Sequence, residues 1–246
     1  MIFEELNKFN NVVFTEKGHS YTVGGRPAIS VTTFLKKFKE PFNTDFWAEA
    51  SAKKRSKTKQ EILKEWDSKR ELSTNKGSKF HAFAENYINN KVINTKKYDS
   101  HIDANAYNKI ESQFINFYET TKDTLIPIRS ELCVGSSDLG ICGTIDQLYY
   151  SKNFEQLVIF DWKTNKKINQ VSPYDNWMLN PISHLPECEF TTYSLQLSLY
   201  KYIIELETNL QIHSCYIVWF NEKNQTYQTF KCNDFRKEII DMLQYN

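Results

Sequence analysis

The sequence predicts an α/β domain in which a helix, three successive strands, a second helix and a fourth strand follow one another. Two runs rich in apolar and β-branched residues, 141–150 and 156–163, have the length of buried strands, and the short polar segment between them predicts a hairpin turn. Apolar residues at helical spacing around 80–88 and 195–204 predict one helix before these strands and one after them.

Length and composition fit one large domain, or one domain with a helical elaboration. The chain has 246 residues, of which 40% are hydrophobic and 15% aromatic, so it can bury a core. Its net charge of +1 points to no class of partner. No apolar run approaches the roughly 18 residues of a membrane span, and the first residues are too acidic for a signal peptide. We therefore expect a cytoplasmic protein without a membrane partner.

The five cysteines are scattered along the chain, and none of them forms a C-x-x-C pair. This spacing predicts reduced thiols rather than a disulfide framework or a structural zinc site.

The first 30 residues predict short antiparallel strands. Residues 12–15 and 19–23, joined by 16–18, predict a hairpin. Gly24 and Gly25 then turn the chain toward a third extended segment at 27–29.

The next segment predicts helices with a high content of basic residues. Ser30 is placed to cap a helix over 31–38, and Asn43 or Thr44 to cap another from about residue 45. Ten Lys and Arg residues stand against four acidic ones between 51 and 79. Such a run is more often a solvated helical face than an electrostatic track for a phosphate backbone, and both interpretations stay open. Trp47 and Trp66 would likewise either pack in the core or stack on bases.

The rest of the chain supplies the predicted helices and strands of the core. We divide the chain into an N-terminal hairpin with a basic helical segment, residues 1–74, and a core, residues 75–246. A long irregular segment at 164–189 is typical of a loop that serves a site or folds on a partner. The predicted core elements are helices at 75–88, 103–121 and 191–207, strands at 128–134, 141–150, 156–163, 212–220 and 227–230, and a closing helix capped by Asp234. In the helix at 103–121 we expect Ile110, Phe114, Ile115 and Phe117 to be buried.

Three side chains near the ends of the predicted hairpin suit a metal ion and an activated water. Asp161 and Lys163 lie two residues apart on one strand and project to the same side, whereas Trp162 faces the other way. The hairpin would bring Asp146 beside Asp161. Carboxylate oxygens favour Mg²⁺ or Mn²⁺, and the Trp162 carbonyl is a natural third ligand. Lys163 would orient or deprotonate the water, with a pKa that we expect to be depressed by burial and a nearby cation.

Four short motifs together resemble the PD-(D/E)XK nucleases, in particular their RecB-type exonuclease branch. They are Gly77-x-x-x-His81, Gly143-x-x-Asp146, Asp161-Trp162-Lys163 and Gln196-x-x-x-Tyr200, in the order and spacing of that family over about 75–220. Each motif alone is weak, but four in register are specific. His19-Ser20-Tyr21 and Ser30-Val31-Thr32 resemble the N-terminal region of phage-encoded and mitochondrial single-strand exonucleases of this branch. The resemblance implies a restriction-endonuclease-like core, with a mixed central sheet flanked by helices.

The resemblance also implies roles for residues outside the strand pair. His81 would complete the metal site, and its imidazole shifts the preference toward Mn²⁺. Gln196 and Tyr200 would hold the substrate and the geometry of the site. Glu131 matches an acidic position of the family, with a role behind the ligands or at a second metal. Some members carry an iron–sulfur cluster, but the cysteine spacing here does not provide one, so we expect none.

These expectations define a metal-dependent DNA exonuclease that acts from ends or on single strands. DNA is the expected partner, and a recombination or replication protein is a second candidate partner. A nuclease-fold protein that binds DNA or takes part in assembly without cutting is the alternative, although such members usually lose Asp161 or Lys163. A sequence-specific endonuclease is disfavoured because no separate recognition domain is evident. The expected catalytic residues are Asp146, Asp161, Lys163, Gln196, Tyr200 and Glu131; the metal ligands are His81, Asp146, Asp161 and Trp162; the DNA contacts are Lys53, Lys54, Arg55, Lys79, Thr164 and Lys166.

Overall fold

Eight strands form one mixed sheet in the computed structural model, which describes residues 1–15, 20–93, 95, 98 and 102–245. The strands follow the order β1-β2-β3-β5-β6-β7-β8, and β4 pairs with β5 outside this path. Their bounds are β1 Val12–Thr15, β2 Ser20–Val23, β3 Arg26–Ser30, β4 Leu125–Ser136, β5 Ile141–Ser151, β6 Gln156–Lys163, β7 Ile212–Trp219 and β8 Gln228–Lys231.

Helices cover both faces of this sheet. Within the described residues none of them is both long and apolar enough to cross a bilayer. The helices are α1 Ile2–Leu6, α2 Val31–Lys36, α3 Thr44–Arg55, α4 Lys59–Ile88, α5 Ala104–Thr121, α6 Glu189–Glu207 and α7 Arg236–Tyr245, and a 3₁₀ turn spans Asn7–Asn11.

The predicted element order of the core is that of the structure. After α4 and α5, the strands β4, β5 and β6 follow as an antiparallel meander, and then come α6 and β7, which pairs parallel to β6. The α/β class and a mixed sheet flanked by helices are therefore confirmed. The more specific restriction-endonuclease-like core stays a prediction.

The feature of the sheet that matters most for the site is the point where β5 and β6 part. The two strands pair from Ser151–Gln156 to Gln147–Phe160, and beyond Phe160 β6 continues paired with β7. The start of β5 pairs instead with β3, which runs parallel to it. Residues 143–146 of β5 consequently have no backbone partner on this side among the described residues, and the edges of β5 and β6 face each other across a gap.

Two hydrophobic clusters pack on the two faces of the sheet. On one face, α4 and α5 bury an aromatic cluster in which the Trp162 ring meets Phe114 edge-on, with centroids 5.7 Å apart. On the other face, α6 packs on apolar residues that include Ile159. The alternation along β6 thus turns Trp162 to the aromatic face and Asp161 and Lys163 to the α6 face, as predicted.

The N-terminal strands join the central sheet instead of standing apart from it. β1 and β2 pair antiparallel, as predicted, and the predicted turn at 16–18 lies outside the described residues. The Ser30 side chain accepts a hydrogen bond from the Thr33 N–H and caps α2, and Asn43 rather than Thr44 caps α3. These caps fix where the chain turns from strand to helix.

One helix of 30 residues, α4, crosses the position between residues 74 and 75 at which we divided the chain. It begins with a capping box in which Thr58 and Glu61 each bond the backbone N–H of the other. Its first half packs on α3 through a small cluster of Ala48, Ala52 and Ile62. Much of the basic segment and the residues around His81 therefore belong to one continuous helix. The division of the chain into two units stays a prediction.

Two local predictions were wrong. The first core strand is longer than the predicted 128–134, since β5 pairs with it from Leu125 to Ser136. Pro127 and Gly135 are unusual inside strands, and the prediction therefore stopped short of both ends. Ile115 was expected to be buried, but it is 37% exposed because the buried stripe of α5 runs through Ile110, Phe114 and Phe117.

Candidate metal centre

Three side chains from three elements converge beside the gap between β5 and β6. His81 comes from α4, Glu131 from β4 and Asp146 from β5, and their ligand atoms all lie within 4.8 Å of one another. The His81 Nδ1 atom is 3.4 Å from Asp146 Oδ1 and 3.5 Å from Glu131 Oε1. Ligand atoms that share an octahedral cation at about 2.1 Å lie roughly 3 Å apart, so small movements would bring these three onto one ion. One imidazole and two carboxylates are donors that can hold a divalent cation.

The strand gap itself holds Asp146 in place. The Trp162 N–H lies beyond the last β5–β6 backbone pair and donates to Asp146 Oδ2 at 2.7 Å. The N–H and carbonyl of one strand residue point to the same edge, so we expect the Trp162 carbonyl to face this gap too, as its predicted ligand role requires. The Lys163 carbonyl points the other way and accepts from the Phe220 N–H.

Glu131 reaches the cluster from a strained backbone position. Its φ is 46°, in the left-handed region, although its neighbours Ser130 and Leu132 pair regularly with β5. Such conformations are uncommon for residues other than glycine and concentrate at functional sites. Glu131 thus belongs to the group of side chains that could hold a metal ion, and its role behind the ligands or at a second metal stays a prediction.

Asp161 and Lys163 form an ion pair next to the three-residue cluster. The Lys163 Nζ atom lies 2.5 Å from Asp161 Oδ2, and the two side chains are 18% and 4% exposed. The β5–β6 register, continued by one residue, places Asp146 opposite Asp161, so the two acids are neighbours, as the hairpin predicted. The Asp161 carboxylate faces Lys163 and is not one of the three clustered ligands. Its direct metal ligation stays a prediction.

The charges of these groups shift one another's pKa values. Burial raises the pKa of Asp161 to about 6, although Lys163 partly opposes this. Burial also raises the pKa of Glu131. Burial also disfavours the charged form of Asp146, but the attraction of His81 and Lys163 outweighs burial, so the pKa of Asp146 is lowered. For His81 the carboxylates outweigh burial and raise the pKa well above its usual value.

A lowered pKa was expected for Lys163 from burial and a nearby cation, and the part that concerns the cation stays a prediction. Burial does act in that direction, but the carboxylates of Asp161 and Asp146 lie close enough to outweigh it, and the pKa of Lys163 is raised. Lys163, held beside Asp161, is placed to orient a water molecule or to contact a phosphate.

The predicted pair on α6 lies against the same strands. Gln196 Nε2 donates to Tyr200 Oη at 3.1 Å, and the Tyr200 ring is buried over Gly143 of β5. A Cβ atom at Gly143 would lie 2.6 Å from the Tyr200 ring, so any larger residue there would displace the ring. The structure thereby links the Gly143 and Tyr200 motifs through one contact.

Sequence reasoning missed Tyr193 as a residue of this site. Lys163 Nζ lies 4.6 Å from the centre of its ring, a cation–π contact. Tyr193 precedes Gln196 by three residues and Tyr200 by seven, so all three share one face of α6. The helical spacing from Gln196 and Tyr200 is the sequence signal that predicts Tyr193 on the same face.

A cavity of about 390 Å³ opens in front of the site. Of the predicted DNA contacts, Thr164 and Lys166 line it together with Lys163 and His81. Lys79 is not among its lining residues, and its ammonium lies 3.9 Å from the centre of the Tyr107 ring.

The remaining predicted DNA contacts lie in the last turn of α3. Lys53 and Lys54 are exposed there and make no ion pair among the described residues, whereas Arg55 pairs with Glu65 at 2.7 Å. Part of the basic segment is thus neutralised within the α3–α4 hairpin.

No protein-family model matches this chain, and no curated protein matches it. The nuclease resemblance accordingly stays a prediction carried by the motifs and the geometry of the site.

The contact between Gly143 and Tyr200 generates a stability prediction. Gly143→Ala should lower the free energy of unfolding by about 1–3 kcal/mol, because the buried ring must move to make room for the methyl group. Chemical denaturation of both proteins measures the difference.

The matched control is Gly77→Ala, because a Cβ atom there meets nothing within 4 Å and Gly77 lies inside α4. This control should be as stable as the wild type, or more stable by about 0.5–1 kcal/mol through helix propensity. Equal stability of Gly143→Ala and wild type would contradict the packing described.

Proposed function

We propose that the protein is a divalent-metal-dependent DNA exonuclease, which hydrolyses phosphodiester bonds from ends or on single strands. The observation that carries the proposal is the convergence of His81, Glu131 and Asp146 within 4.8 Å, at the point where two strands part. A buried ammonium–carboxylate pair, Lys163 with Asp161, lies directly alongside. Ligands, a general acid or base and an opening to solvent are the parts that hydrolysis of a phosphodiester requires.

The proposed ligands are His81, Glu131 and Asp146, with the Trp162 carbonyl and Asp161 as further donors. A bound Mg²⁺ or Mn²⁺ supplies a water of lowered pKa and offsets negative charge on the phosphate. The Trp162 N–H keeps one oxygen of Asp146 fixed and leaves the other, Oδ1, toward His81.

Lys163 is the proposed group that acts on the water or on the scissile phosphate. Asp161 and the Tyr193 ring hold its ammonium from two sides, which limits its freedom to turn away. Tyr200 and Gln196 support the strand from α6, and Gly143 lets Tyr200 approach. Fixed positions of this kind account for much of enzymatic rate enhancement.

The surroundings of the site support a nucleic acid as the substrate. Thr164 and Lys166 line the cavity in front of it and provide donors for phosphate oxygens. The α3–α4 hairpin displays Phe46 and Trp47, 59% and 50% exposed, on the helix that also carries the exposed ammonium groups of Lys53 and Lys54. Exposed aromatic rings combined with basic side chains are typical of surfaces that hold single strands. We propose that this hairpin, continuous with the helix of His81, guides the strand toward the site.

The proposal predicts that Asp161→Asn/Lys163→Met abolishes digestion, with a loss of at least about 100-fold, because the group that acts on the water is gone. Both residues are replaced because removing one partner of a buried ion pair costs about 3–5 kcal/mol and would confound activity with unfolding. The assay follows end-labelled single- and double-stranded DNA, linear and circular, with Mg²⁺, Mn²⁺ or a chelator.

The control is Lys201→Met/Asp234→Asn, which removes an ion pair of 2.7 Å at the other side of α6 and should keep wild-type digestion. Digestion at the wild-type rate by the first variant, or digestion that survives the chelator, would refute the proposal. Wild-type protein that binds DNA but cuts none of these substrates would support a non-catalytic binding or assembly role. Cutting of circles would indicate an endonuclease.

A second prediction concerns the α3–α4 hairpin. Lys53→Glu/Lys54→Glu should weaken binding to single-stranded DNA and reduce the slope of log K against log salt by roughly 0.7 for each phosphate that the variant no longer neutralises. Fluorescence anisotropy at several salt concentrations measures both quantities.

The matched control reverses two exposed lysines elsewhere, Lys152→Glu/Lys237→Glu, and changes the net charge by the same amount. Equal binding by the two variants at every salt concentration would identify the basic segment as a solvated helical face.

A further inference from the structure

A second cavity, of about 340 Å³, is lined by Tyr193, whose ring contacts Lys163 beside the candidate metal centre. Tyr193 lines both this cavity and the one that His81 and Lys163 line, so the two cavities share this residue. The other walls of the second cavity include Lys39, Pro173, Tyr174 and Thr192. A strand that places a phosphate at Lys163 would thus have its neighbouring nucleotide beside this second space.

The second cavity carries flat rings at two of its walls. Tyr174 is 82% exposed, and Tyr193 presents its ring from α6. An exposed aromatic ring on an irregular loop contributes nothing to the core of this protein. Two tyrosines and a proline beside an open space of this size suit a planar aromatic guest.

The charges in this cavity disfavour a phosphate as its occupant. Lys39 is the ammonium group there, and its Nζ atom already donates to Thr192 Oγ1 at 2.7 Å. Two carboxylates, Glu187 and Glu189, line the same space and face that ammonium. The net charge is therefore negative, which repels a phosphate and leaves acceptors for the N–H groups of a base.

We propose that this second cavity is a binding site for one unpaired nucleobase, the one adjacent to the scissile phosphate. The inference rests on the proposed function and adds to it that the substrate is recognised as a single strand, because a paired base could not enter. Tyr174 and Tyr193 contact the base through their rings. The Tyr193 ring also contacts the ammonium of Lys163, so binding of the base and positioning of Lys163 share one residue.

The experiment scans an abasic site through a single-stranded oligonucleotide and measures binding by anisotropy. It uses the Asp161→Asn/Lys163→Met background, so that the strand stays intact. One abasic position should weaken binding about tenfold, the loss expected for one base stacked on aromatic rings. Tyr174→Ala should remove this position-dependent loss, and so should Tyr193→Leu, whereas Tyr193→Phe retains the ring and should retain the loss.

Phe154→Ala is the matched control, since Phe154 is an exposed ring at the opposite end of β6, stacked on His213. It should leave the abasic profile unchanged. A flat profile, or a profile that Tyr174→Ala and Tyr193→Leu do not alter, would overturn the base site even if wild-type digestion needs metal. Absence of both strand binding and digestion would overturn the base site together with the proposed function.

Discussion

The candidate site depends on one hydrogen bond, from the Trp162 N–H to the Asp146 carboxylate, at the point where β5 and β6 part. Had the strands stayed paired, that N–H would bond a backbone carbonyl and the acid would have no fixed position. Because the strands part, the Asp146 carboxylate accepts this hydrogen bond in place of a backbone carbonyl. The aromatic cluster around Trp162 holds this end of β6 on one face, and α6 holds it on the other.

The same parting explains why residues distant in sequence meet. β4 follows β5 along its whole length and brings Glu131 next to Asp146, while α4 lays His81 across the open edge. α6 closes the other side, and Gly143 allows it to approach through Tyr200. The positions of the candidate ligands, of the ion pair and of α6 thus follow from one sheet topology. The candidate site lies at the gap between β5 and β6.

Much of this arrangement could be predicted from the sequence, because the informative patterns were local. The alternation of Asp161, Trp162 and Lys163, the short turn before β6 and the caps at Ser30 and Asn43 each concern a few neighbouring residues. What could not be predicted depends on tertiary contacts. The left-handed backbone of Glu131, the raised pKa of Lys163 and the pairing of Arg55 with Glu65 all require knowing which side chains face one another.

The most direct test of the account is a titration of the protein with Mn²⁺, followed by the electron paramagnetic resonance of the free ion. We expect saturable binding that Asp146→Asn and Glu131→Gln each weaken at least about tenfold, since each removes a candidate ligand charge. Glu65→Gln, on the same helix as His81 but 16 residues away and paired with Arg55 at 2.7 Å, should bind as the wild type does. Unchanged Mn²⁺ affinity in Asp146→Asn would contradict the metal centre and, with it, the proposed nuclease.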